Sequence, residues 1–280
     1  MSHCVACGSG DGRPFHRGLR RCASCGHAWA DLELAPGEIV ALYGRAYFLG
    51  GEYRDYPADR RILEKSFRLR LRVLDRFLDP ARHRRLLEVG CAYGFFLELV
   101  RDRFEEVVGL DVAEDGVRHA REALGLDAVR GDLLTHDFGA RRFDVVCLWD
   151  TIEHLARPDL ALERIRDLSP SGALLALTTG DLDSLVARLR GGRWRLIHPP
   201  THLHYFTRAS LRRLLERHGF DLVHDRRCGF YRSVESAAHG VLVQRWKATR
   251  AFEILKRMRL ARLAFYLDLG DIRYLIARRR

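Results

Sequence analysis

Four of the seven cysteines fall within the first 25 residues, as Cys4-x-x-Cys7 and Cys22-x-x-Cys25. Each pair can form a tight knuckle with both thiolates turned toward one ion, and two knuckles complete a tetrahedral Cys4 zinc site. With sulfur in all four positions no coordination site stays open, so the expected role is to hold a small ribbon together rather than to catalyse. Gly10, Gly12, Pro14 and Gly18 supply turns between the pairs. Two disulfides are the alternative, but nothing else in the sequence indicates an oxidising compartment. Cys91, Cys147 and Cys228 are scattered and read as small packing residues.

A second reactive set begins at LLEVGCAYGFFLE, residues 86–98, with Glu88, Gly90, Ala92 and Gly94. An apolar run, a carboxylate, a small-residue turn and another apolar run describe a strand that turns into a helix across a nucleotide. A dinucleotide fingerprint needs G-x-G-x-x-G, so that a pyrophosphate can lie against the helix N-terminus. Those positions hold Gly90, Ala92 and Phe95 here, and phenylalanine in the third argues against NAD or FAD. Farther along, Asp111 closes one strand-like run, Asp132 and Leu133 follow another, and Asp150, Glu153 and His154 leave a third in FDVVCLWDTIEHL. His198, His202 and His204 cluster beside Trp194, Tyr205 and Phe206. No carboxylate shares their spacing, so they are expected to line a pocket rather than bind a second metal.

The elements that must position these residues alternate. Strand-like runs at Arg85–Val89, Glu106–Leu110, Ala128–Val129, Phe143–Leu148 and Ala173–Thr178 are separated by helix-like segments at Phe95–Arg103, Asp115–Leu124 and Pro158–Leu168. That alternation indicates an α/β fold with a parallel sheet covered on both faces, and ligands beyond the carboxyl ends of its strands. A helix is expected from about Asp59 to Leu78, and another after the cap Thr207, ending at Gly219. The chain thus divides into a ribbon (1–30), a Tyr-rich linker and helix (31–80), a central domain (81–228) and a basic amphipathic tail expected to be helical (229–280).

In this order the motifs resemble those of the class I S-adenosylmethionine-dependent methyltransferases over about residues 60–223, Ala92 replacing the middle glycine of E/D-x-G-x-G-x-G. The resemblance implies a Rossmann-like, mostly parallel seven-stranded sheet with helices on both faces, and S-adenosylmethionine as cofactor. It places Glu88, Gly90, Ala92 and Gly94 at the methionine end, Asp111 and Val112 at the ribose hydroxyls, and Asp132 and Leu133 at the adenine. Asp150, Glu153 and His154 would face the transferred methyl. His154 suits proton removal, with Glu153 or Asp150 orienting it or carrying out the deprotonation, and capping of the next helix is the alternative role. His202 to Phe220 is similar to H-L-x-x-F-T/S…L…L-L…G-F of ubiquinone-type small-molecule methyltransferases.

A Cys4 ribbon ahead of such a domain resembles the C-methyltransferases of nucleotide-linked deoxysugars. In those a Glu-His pair and a Tyr near the ribbon are implicated in deprotonating carbon. Glu153-His154 matches the pair, and Tyr43, Tyr47, Tyr53 or Tyr56 the tyrosine. The chain departs from that group in having only about fifty residues after Cys228.

At 280 residues, 47% hydrophobic and 30% charged, the composition is that of a globular protein. No run approaches the roughly 18 apolar residues that span a bilayer, and the first residues lack a secretory pattern, so a cytoplasmic location is expected. The net charge of +11 fits either an arginine-rich composition or a phosphate-bearing partner. The expected partner is a small-molecule acceptor, nucleotide- or lipid-linked; the tail is expected to pack as a helix against the domain or a second subunit, a membrane surface being the alternative, with oligomerisation open. An rRNA or tRNA methyltransferase using the ribbon and basic surface is the alternative. A second is a non-catalytic ribbon scaffold, for which Ala92 is the hint.

Overall fold

The computed structural model describes residues 3–16, 18–32, 55–238, 248–257 and 263–280, together with Glu38, Leu42 and Leu242. Its strands are β1 (Gly12–Pro14), β2 (Leu19–Cys22), β3 (Ala28–Ala30), β4 (Arg85–Val89), β5 (Glu106–Asp111), β6 (Asp127–Arg130), β7 (Val145–Trp149), β8 (Leu174–Gly180), β9 (His204–Tyr205), β10 (Phe220–Arg227), β11 (Phe230–Ser233), β12 (Ala264–Leu267) and β13 (Ile272–Arg279). Its helices are α1 (Arg60–Leu74), α2 (Phe95–Val100), α3 (Glu114–Glu122), α4 (Pro158–Leu168), α5 (Leu185–Arg190), α6 (Arg208–Arg217), α7 (Val234–Ala238) and α8 (Thr249–Arg257).

The central seven-stranded sheet runs β10-β13-β8-β7-β4-β5-β6. Its β6, β5, β4, β7 and β8 are parallel, while β13 lies antiparallel to both β8 and β10. Leu86–Val89 of β4 and all of β7 are buried, the near-continuous apolar pattern of parallel strands covered on both faces. From β4 the chain winds outward to β5 and β6, then returns on β4's other side as β7 and β8. The order therefore reverses between β4 and β7, which opens a ligand crevice at their carboxyl ends.

Local signals explain the flanking helices. Pro158 opens α4 at a position whose N–H would be unpaired anyway. Thr207 and Ser210 form a reciprocal capping box at the start of α6. One face of α1 is buried through Ser66, Phe67, Arg70, Leu71 and Leu74.

The last segment differs from the sequence expectation. Helix occurs at α7 and α8, but residues 264–267 and 272–279 are strands, and the latter fills the place between β8 and β10. The central sheet is therefore not complete at residue 228. Ile272, Tyr274, Leu275, Ile276 and Ala277 are buried in the sheet, so they belong to the core and not to a membrane-surface helix. A short apolar run of this kind has no periodicity that separates a buried strand from a helix. Leu263, Phe265 and Leu267, at period two, carried the strand signal. No helix among the described residues is long and apolar enough to cross a membrane.

The N-terminal ribbon is β1-β2-β3 in antiparallel order, and its fourth strand is β9, from the segment after β8. Cys4, Ala6, Cys22 and Trp29 belong to the same core cluster as Phe206, Leu211 and Leu215.

Candidate active site

At the end of β4 the chain turns through three left-handed residues: Gly90 (φ +79°), Ala92 (φ +46°) and Gly94 (φ +77°). A Cβ on Gly90 would come within 2.5 Å of Thr151 Oγ1, and one on Gly94 within 2.9 Å of Ala120 Cβ, so both positions need glycine for space as well as conformation. Ala92 holds its positive φ at a cost of about 1–2 kcal/mol for an L-residue. Its N–H donates to Asp111 Oδ2 (2.7 Å), and the Ala113 N–H donates to Oδ1 (2.8 Å). The carboxylate at the end of β5 thus pins the turn after β4, leaving each oxygen a second lone pair for a ligand.

Glu88 is 2% exposed, and its Oε2 has no hydrogen-bond partner among the described residues. Burial, reinforced by the like charge of Asp111, pushes its carboxyl well above the usual range, while Arg70 pulls the other way. A buried carboxylate with an unsatisfied oxygen fits a cationic ligand group.

A buried cation stands in the same region, Arg70 of α1, 7% exposed, which no sequence motif named. It donates to Asp150 Oδ2 (2.7 Å) and lies 5.5 Å from the Trp149 ring and 5.6 Å from that of Phe67. Tyr274 holds the carbonyl of Arg70 at 2.9 Å. Asp150, at φ +51°, also accepts from Thr178 Oγ1 (2.8 Å). Burial would raise the Asp150 carboxyl, but Arg70 and Thr178 outweigh it and hold it below its usual range. The signal for Arg70 was present: it is a charged residue on the buried stripe 67, 70, 71, 74 of an amphipathic helix.

Glu153 and His154 lie on a single helical turn, Ile152–His154, beyond β7. His154 Nδ1 donates to the Thr201 carbonyl (2.8 Å), and His202 Nδ1 donates to that of Leu196 (2.9 Å). This sets Nε2 as the base or ligand nitrogen of His202, while His154 also has the Asp150 backbone as a partner. The two rings stand 4.5 Å apart and nearly perpendicular, with His198 3.8 Å from His202. Glu153 is 4% exposed and its Oε2 has no hydrogen-bond partner among the described residues. Burial, then the charge of Asp150, raises its carboxyl to about 8, whereas burial lowers His154 to about 4. Of the two, Glu153 is the stronger base.

Ligand atoms of Glu153, His154 and His202 all lie within 4.8 Å of one another. The fold thus supplies the carboxylate that sequence spacing did not, and a divalent cation fits this set. His204 is not part of it, its ring facing His27 instead. Asp132 is exposed, its Oδ1 accepting from the Leu134 N–H (2.8 Å); Leu133 is buried in the core and Val112 half-buried. Tyr56 stacks on Phe95 (5.7 Å) behind the first turn, and Tyr43, Tyr47 and Tyr53 lie outside the described residues.

In the ribbon the thiols of Cys4, Cys7, Cys22 and Cys25 also lie within 4.8 Å of one another. Cys4 and Cys25 are 3.6 Å apart and Cys7 and Cys22 3.5 Å. These separations are near the edge of a tetrahedron with metal–sulfur distances of about 2.3 Å and far beyond a disulfide of about 2.05 Å, so the donor set fits zinc.

A family described as a methyltransferase domain matches residues 59–225. A ubiquinone biosynthesis O-methyltransferase of Cereibacter sphaeroides is 30% identical over 155 residues, 51% of this chain and 63% of that protein. The chain therefore spans less than two thirds of that relative. A ubiquinone biosynthesis O-methyltransferase of Leptothrix cholodnii is 24% identical over 64% of this chain and 81% of its own. Among solved structures, an S-adenosylmethionine-dependent methyltransferase from Archaeoglobus fulgidus has a TM-score of 0.56 at 20% identity, covering 84% of this chain and 100% of that one, a likeness of fold.

Proposed function

From the premise that this chain belongs to the methyltransferase-domain family, we propose that it is an S-adenosylmethionine-dependent methyltransferase. Its acceptor is a small molecule that must lose a proton on methylation. The observation that carries this reading is the buried Glu153 carboxylate, unsatisfied at Oε2, grouped with His154 and His202 beyond the β4–β7 crevice.

Bound there, the cofactor would supply a methyl carbon made electrophilic by its sulfonium. An amino-acid zwitterion needs one cation and one carboxylate, and buried Arg70, which also holds Asp150, and buried Glu88 would offer one each. Asp111 takes the ribose diol on its remaining lone pairs, and Asp132 with Leu133 meets the adenine. Glu153 accepts the acceptor's proton, and His202 holds the acceptor through Nε2, with His154 packed against its ring. The chemistry so supplied would be an in-line displacement, the acceptor's electron pair joining the methyl carbon as the sulfur–carbon pair leaves with sulfur. Holding the reactants in line does most of the work of such a displacement. In the ribbon, Cys4, Cys7, Cys22 and Cys25 would hold a structural zinc.

A second reading of the same residues is favoured by the mutual closeness of Glu153, His154 and His202. These residues would hold a divalent cation, and the chemistry it would supply is Lewis-acid lowering of a hydroxyl pKa. Metal content separates the two readings: a base leaves one bound ion per chain, in the ribbon, whereas a cation site adds a second that His202→Ala removes.

The proposal is tested by transfer of labelled methyl from S-adenosylmethionine to phenolic and catecholic compounds, nucleotide-sugars and structured RNA. Incorporation into a small molecule, lost in Glu153→Gln, supports it. Incorporation into RNA alone, with steep salt dependence, would overturn it for the polynucleotide reading.

A further inference from the structure

The ribbon and the acceptor end are joined by an unbroken series of hydrogen bonds. β3 pairs with β9 as Ala28↔Tyr205 and Trp29↔His204. One step beyond, the Ala30 N–H donates to the Leu203 carbonyl (2.9 Å), and the Leu203 N–H donates to the Glu153 carbonyl (2.9 Å). The ribbon backbone is thus two hydrogen bonds from the proposed base, and Leu203 directly follows His202.

A second line runs through side chains. His27 and His204 are both buried, and their rings stack at 5.2 Å. His204 Nε2 is 3.4 Å from the Ala156 carbonyl, which can only accept, so that nitrogen carries the hydrogen. His204 Nδ1 is then a lone pair, receiving the Nε2–H of His27 at 3.2 Å. The other nitrogen of His27 lies 3.5 Å from Cys4 Sγ. Phe206 packs against both rings, 5.0 Å from His27 and 5.9 Å from His204. This line starts on a cysteine knuckle and ends two residues beyond His154.

We infer that the ribbon is a positioning element for the acceptor end, acting through His27 and His204 and the β3–β9 pairing. The inference rests on the reading of Glu153, His154 and His202 given above. The Cys4 set closes the ribbon, the ribbon presents β3, and β3 suspends both the Glu153–His154 turn and the start of β9. The cofactor turn at residues 90–94 is held separately, by Leu110 and Asp111. Disturbing the imidazole pair should therefore loosen one end of the crevice and leave the other intact.

The test uses the full chain with His204→Phe, which keeps a ring in the stack but removes both hydrogen bonds. His204→Gln, which retains a donor for Ala156, is the conservative variant. Hydrogen exchange read by mass spectrometry is expected to rise at least tenfold in peptides covering 151–157 and 198–205 for His204→Phe. Peptides covering 86–98 and 106–113 should be unchanged, with S-adenosylmethionine affinity within about twofold. On a responsive acceptor, kcat should fall at least tenfold with KM for S-adenosylmethionine unchanged, and His204→Gln should recover part of it. Exchange that rises uniformly, or only within residues 1–30, would overturn the inference. If His204→Phe does not fold, metal chelation of the unmodified chain is expected to give the same two-peptide signature, and its absence counts equally against it. Failure of the unmodified chain to bind S-adenosylmethionine would instead strike the proposed function, leaving the exchange result to be judged alone.

Discussion

The two ends of the crevice are built in opposite ways. The cofactor end comes from consecutive chain: β4, its turn and the end of β5 lie within residues 85–113 and hold one another through backbone N–H groups on Asp111. The acceptor end is assembled from distant pieces: the Glu153–His154 turn and the His198–His202 loop, joined by the bond from His154 to the Thr201 carbonyl across 47 residues. The first is fixed by conformation and close approach, the second by buried charges and by the ribbon behind it. A fold can therefore keep its cofactor turn while its acceptor end is rebuilt by changes anywhere along the chain.

Substitution at each end should show this separation. The largest effect is expected for Glu153→Gln, with kcat lower by about 100- to 10,000-fold, as for loss of a general base, and S-adenosylmethionine affinity unchanged. Asp111→Ala should do the reverse at its own end. Loss of a carboxylate with two backbone bonds is expected to weaken S-adenosylmethionine binding about 100-fold, or ~3 kcal/mol, by calorimetry. Gly90→Ala, pressed against Thr151 and forced to a positive φ, should lower unfolding free energy by about 2 kcal/mol in a denaturant titration.

A smaller effect is the pH profile. Glu153 must be ionised to act as base and its carboxyl is raised to about 8, so kcat should fall about tenfold per pH unit below that value and level off above it. A profile flat between pH 6 and 9 would shift the base role elsewhere. The smallest is Ala92→Gly, which relieves the left-handed strain but frees the unfolded chain, for a net change under about 1 kcal/mol in thermal unfolding.

Legibility in the sequence follows the same division. β4 and α4 fall where apolar runs and Pro158 place them, and the glycine turn, Asp111 and Asp132 stand at the strand ends expected of them. These are local signals of period and turn chemistry. Arg70, Trp149 and Thr178 were missed because their roles exist only across the folded sheet, although Arg70 interrupts a buried helical stripe. The grouping of Glu153 with His202 depends on a loop that folds back over β7's exit, which spacing cannot express. The final strand was hidden because a buried run such as IRYLIARR carries no alternation.

The separation of the two ends is tested most directly by titrating S-adenosylmethionine calorimetrically into Asp111→Ala and Glu153→Gln side by side. The expected result is a loss of about 100-fold in the first and an affinity equal to the unmodified chain in the second. Equal losses in both, or none in either, would contradict the assignment of these carboxylates to cofactor and acceptor.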